Sequence, residues 1–146
     1  MDIVSVFKTK AEALGYGFSY GTRQFLNYET TLKNMREDQY QVLMLPASET
    51  DEYGQRVYKT GTRYTVTFQL ATKFENLTNA KLDETYYQKH ERRLDTLLLL
   101  CRAFVSAIIC ENDITPVSAR YAPEINLYAT LVDVYNCEFS FIDNGD

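Results

Sequence analysis

The sequence predicts an α+β fold with a mainly antiparallel sheet, on three patterns. Residues 2–14 and 84–111 repeat apolar side chains at spacings of three and four, the period of a helix packed on one face. Residues 56–75 and the last third of the chain alternate apolar with polar side chains, the mark of half-buried strands. The order is helix, irregular strand, long hairpin, long helix and closing hairpin. Without a regular alternation of strand and helix, a mainly antiparallel sheet is expected, with one face packed on the two helices.

Taken in order, the N-terminal helix presents Ile3, Val6, Phe7, Ala11 and Leu14 on one side. Asp2 is placed to cap its start and Gly15 to stop it. Residues 16–38 are aromatic and glycine-rich and predict an irregular strand or extended loop. YQVLMLP at 40–46 is a short strand closed by Pro46, and 47–54 reads as a polar, turn-rich link. From 56 to 75, Tyr64, Val66, Phe68 and Leu70 alternate with Thr65, Thr67 and Gln69, with a break at Gly61. Together these segments predict a β-hairpin that protrudes as an arm at about 47–63.

The strongest helical signal is 84–111. Tyr87, His90, Leu94, Leu97, Leu98, Cys101, Phe104, Val105 and Ile108 form one face, with Asp83 as a cap and Asn112 as an end. Additional apolar residues at Leu99, Leu100, Ala103, Ala107 and Ile109 predict burial nearly all round in the C-terminal half. ITPVSARY at 114–121 is a candidate strand, and the segment after Pro123 offers one long strand or two. No repeat or composition break divides the 146 residues, so a single domain over 1–146 is expected.

Bulk properties narrow the function. The formal net charge is −5, and the densest basic cluster, Lys89, Arg92 and Arg93, is offset by Glu91 and Asp95. Tight nucleic-acid binding, which requires cations to displace counterions from phosphate, is not expected. The longest apolar stretch, at 97–101, is cut by Arg102 and is too short to span a bilayer. The N-terminus lacks the pattern of a signal peptide. Three cysteines, Cys101, Cys110 and Cys137, without a CxxC pair fit buried thiols in a reducing compartment rather than a disulfide framework or a zinc site.

The same reading finds no catalytic constellation. His90 is the only histidine. Cys101 lies eleven residues further along the same predicted helix, roughly 16 Å away, too far for a nucleophile–base pair. No phosphate loop, dinucleotide fingerprint or GxSxG motif is present. A non-enzyme without cofactor or metal is the expectation. Tyrosine is the unusual residue, 12 of 146 with no tryptophan. A tyrosine is apolar along its body and wet at its tip, which suits core edges and protein interfaces alike. In the hairpin, Tyr53, Val57, Tyr58 and Tyr64 are the candidate interface residues.

The order of elements resembles the tail-terminator, tail-completion and neck (head–tail joining) proteins of tailed bacteriophages. The resemblance rests on DIVSVFKTKAEAL as the first helix and on the hairpin from YQVLMLP to LATKFE. It rests also on HERRLDTLLLLCRAFVSAII as the long helix and INLYATLVDVYNCEFSFI as the closing strands. It lies in architecture and size and in no residue motif. It implies a structural virion protein, made in the host bacterial cytoplasm. Six or twelve identical subunits would form a ring joined to other neck or tail proteins. DNA would pass through that ring without specific binding, which an acidic lumen favours. The alternative is a soluble bacterial cytoplasmic adaptor or ligand-binding module.

Overall fold

Asp2 starts the first helix as predicted. Its carboxylate accepts from the Ser5 backbone N–H at 3.1 Å and from the Ser5 hydroxyl at 2.7 Å, satisfying a donor that the helix cannot. The computed structural model describes residues 1–22, 39–55, 58–73, 85–89, 93–124 and 132–144. Helix α1 spans Ile3–Ala13, and Gly15 follows it at φ 76°, the left-handed conformation that ends helices at glycine. Ile3, Phe7 and Ala11 are buried, whereas Leu14, expected on the same face, falls at the C-cap and is exposed.

The Ser5 bonds hold the Asp2 carboxyl below its ordinary range. The ionised cap therefore stabilises α1 at neutral pH, and this contribution is lost as the pH falls through the lowered value. We expect Asp2→Asn, which keeps an acceptor but no titration, to remove an acid step in α1 stability that circular dichroism between pH 5 and roughly 2 detects in the parent.

Strands β1 (Gly17–Tyr20), β2 (Tyr40–Met44), β3 (Ser48–Tyr53) and β4 (Lys59–Lys73) follow. After the one-turn helix α2 (Tyr86–Lys89) come helix α3 (Asp95–Glu111), β5 (Ile114–Glu124) and β6 (Val132–Asp143). The fold is α+β, with a mostly antiparallel six-stranded sheet ordered β1-β2-β4-β6-β5. β3 joins β4 on the same side as β2, further along the strand. Among the described residues, β1 and β2 form the one parallel pair.

The predicted alternation of β4 sets the layers. Tyr64, Val66, Phe68 and Leu70 face the helices, beside Tyr135, Cys137, Phe139 and Phe141 of β6. Phe7 of α1, Phe68 of β4 and Phe104 of α3 meet with ring centroids 5.4–5.6 Å apart, tying both helices to the sheet. A second cluster of Leu43, Ala71, Val132 and Val134 is buried on the opposite face. The expectation of one buried face is thus too simple at this end of the sheet.

The helix predicted over 84–111 is described only in part, as α2 and α3, because residues 90–92, His90 included, lie outside the described residues, as does the cap proposed at Asp83. Two expectations are corrected. Burial all round α3 fails, because Leu99 is 60% exposed and Ala103 and Cys110 face outward. An apolar run lengthens a helix without deciding how many sides of it meet the sheet, and here one side does. In addition, the 47–54 segment is not a turn-rich link but mostly strand β3, paired with β4. Asn112 does end α3, in an extended conformation, donating from its side chain to the Ile108 carbonyl at 2.8 Å.

Candidate functional site

The surface singled out by the sequence is the β3–β4 hairpin. Beyond the Thr62–Asp143 pair, β4 continues to Lys59 with only β3 beside it, so the tip is a two-stranded ribbon among the described residues. Such a ribbon has little core of its own, and polar contacts hold it. The Gly54 N–H donates to the Tyr58 carbonyl at 3.0 Å, and the Thr60 hydroxyl to the Glu52 carbonyl at 3.1 Å. Lys59 pairs with Asp51 at 3.2 Å and Arg63 with Glu52 at 3.0 Å. These ion pairs are half exposed, so each adds less than about 1 kcal/mol and serves mainly to fix geometry.

The four candidate residues separate. Tyr53 and Tyr58 are each 62% exposed at the tip, apolar surface that nothing in the described residues covers. Val57 lies outside the described residues. Tyr64 is 6% exposed and stacks on Phe141 at 5.4 Å, so it is a core residue and leaves the candidate surface. Its hydroxyl is pushed up by burial first and by the nearby Glu49 carboxylate second. Sequence reasoning grouped it with the tip because tyrosine alternating in a strand fits either face, and the side was fixed only by pairing with β6.

The other end of the sheet carries a feature the sequence reading missed. β5 forms the far edge, and α3 covers it incompletely. A groove of about 430 Å³ runs between them, lined by Val105 and Ile109 of α3, Val117 and Tyr121 of β5, and Phe139 of β6. The Arg102 guanidinium lies 5.5 Å from the centre of the Tyr121 ring, at cation–π distance. The Tyr121 hydroxyl is pushed up to about 12, by burial before any charge. A second groove, of about 300 Å³, lies between α1 and the end of α3, where Lys10 and Glu111 pair at 2.8 Å.

Two of the three thiols meet in the core, which spacing alone does not reveal. Cys101 of α3 and Cys137 of β6 are both fully buried, and the hydrogen bond that the Cys137 thiol makes to Cys101, with burial second, pushes the Cys137 thiol well above its ordinary range. A thiol so held is not nucleophilic at neutral pH. Cys110, predicted to be buried, is exposed. We therefore expect a maleimide to label one thiol per native chain, at Cys110, and all three after unfolding, as read by intact mass. Rapid labelling of three thiols in the native protein would contradict this packing.

Among the described residues, no group of three or more metal-ligating side chains is assembled, and no helix is long and apolar enough to cross a membrane. The chemistry that the hairpin and β5 edge can carry is contact: exposed aromatic bodies, open strand edges and charges held at their rims. No protein-family model and no curated protein matches the chain.

Proposed function

We propose that this protein is a structural subunit that assembles with copies of itself into a ring at the neck or tail end of a tailed-phage particle, around the DNA channel. The observation that carries the reading is the exposed hairpin tip. Tyr53 and Tyr58 hold apolar surface in water on an element that contributes little to the core. Burial of two tyrosines against a neighbour, at roughly 25 cal/mol per Å², supplies several kcal/mol per contact before the costs of ordering. The net charge of −5 supports a surface that does not retain DNA. The resemblance in element order supplies the phage setting, including a place in the virion.

The test is the mass of the purified protein by light scattering, with electron microscopy of the particles. Rings of six or twelve subunits are expected. A monomer at every concentration up to the millimolar range, with no ring in the presence of phage neck or tail proteins, overturns the reading. Tyr53→Ala with Tyr58→Ala should change the unfolding free energy by less than about 0.5 kcal/mol, since both side chains are exposed. The same pair should shift the assembly midpoint to higher protein concentration.

A further inference from the structure

We infer that neighbouring copies join by unlike sheet edges, with β3 of one copy lying antiparallel along β5 of the next between Pro116 and Pro123. This deepens the ring reading and rests on it.

Strand direction comes first. β3 runs antiparallel to β4, β4 to β6, and β6 to β5, so β5 and β3 of the same chain point in opposite directions. A second copy placed with its β3 antiparallel to β5 therefore has the same orientation as the first. Its helices lie on the same side of the continued sheet, and the step repeats. A repeated contact between unlike surfaces closes into a ring when its rotation allows.

Charge separates the two edges. The side chains of β3 include Glu49, Asp51 and Glu52 and no cation. Asp51 and Glu52 are ion-paired within the hairpin, whereas Glu49 has no ion pair among the described residues. β5 is flanked by two arginines. Arg102 stands over Tyr121 on the helix face. Arg120 is on the opposite face, across from Glu138 without closing an ion pair. Two β3 edges brought together oppose carboxylates, and two β5 edges oppose guanidinium groups. Only the unlike pair matches.

The prolines fix where it matches. Proline has no N–H to give a new partner, so Pro116 and Pro123 blunt the β5 edge at two points and leave a six-residue window, Val117 to Ala122. β3 is also six residues long, Ser48–Tyr53. Laid antiparallel in that window, Ser48 falls beside Ala122 and Glu52 beside Ser118, and Tyr53 comes to Val117 at the end where β3 and β5 both depart from regular register. The faces agree in this register. Glu49, which shares the face of Tyr64, meets Tyr121 beneath Arg102, and Thr50 meets Arg120 on the other face. Tyr53 then covers Val117, itself 47% exposed at the mouth of the α3–β5 groove.

Paired cysteines test the register. Directly opposed strand residues are close enough for a disulfide, and Ser48 and Ala122 are uncharged. In a Cys110→Ser background, the chain carrying both Ser48→Cys and Ala122→Cys should give a ladder of covalent oligomers on mild oxidation. Either substitution alone should give none. Linking by a single variant alone means that like edges meet and overturns the inference. Absence of the ladder while light scattering still shows a ring overturns it too, and leaves the ring reading standing. A monomer in light scattering removes both. As a second measurement, Arg102→Glu and Glu49→Arg should each raise the assembly midpoint at least tenfold, and the two together in one chain should restore it. No restoration counts against the charge match.

Discussion

Phe104→Ala is expected to lower stability by about 3–5 kcal/mol, a drop in melting temperature on the order of 10 °C for a chain of this size. Phe104 is fully buried and touches both Phe7 and Phe68, so its removal opens a cavity where two helices and the central strand converge. Neither backbone can relax to fill the space. α1 is held through the same phenyl cluster, and Phe68 lies on a strand paired on both sides. Against a typical domain stability of about 5–15 kcal/mol, the loss is large. Phe104→Leu should recover part of it, because it refills volume without the ring. Thermal denaturation followed by circular dichroism measures both. An unchanged curve for the alanine variant would place this face of α3 outside the core.

The second large effect concerns assembly. Deleting 50–60 and bridging the gap with glycine and serine is expected to leave a folded monomer. Thr62 through Lys73 keep their ladder with β6, and Tyr64 keeps its stack on Phe141. The removed residues include Tyr53, Tyr58 and most of β3, which are exposed and contribute little burial. They are also most of the surface proposed to meet the next copy. Near-native circular dichroism with light scattering at the monomer mass is the expected pair of results. A ring of unchanged size would show that assembly uses other surfaces, such as the groove between α1 and α3.

Most of the layer structure was legible because period and capping are local. Ile3, Phe7 and Ala11, the inward side of β4, and the Leu97, Cys101, Phe104 and Ile108 stripe are all where spacing puts them. What spacing cannot tell is which partner each strand finds. The β1–β2 parallel pair depends on a long connection and not on any local pattern. Sequence reading left β1 as irregular because its glycines signal breaks. Gly17 instead pairs regularly with Gln41, and a Cβ there would only require the flexible end of the Gln41 side chain to turn aside. The candidate surface was half legible. Exposed tyrosines at a turn can be inferred, as at Tyr53 and Tyr58. The burial of Tyr64 and the meeting of Cys101 with Cys137 depend on pairings between segments far apart in the chain.

The central β4–β6 ladder has a kinetic consequence. It joins residues roughly 60 to 80 positions apart in sequence, and the rest of the sheet is laid on it. No hairpin can nucleate this pair. The chain must close a long loop before its largest ladder begins to form, and the entropy of that closure precedes the reward. Refolding should accordingly take milliseconds to seconds rather than microseconds. Until β4 and β6 meet, Val66, Phe68, Phe139 and Phe141 are all unsheltered in the growing chain. Aggregation during refolding should therefore compete most strongly at this stage, and rise with protein concentration.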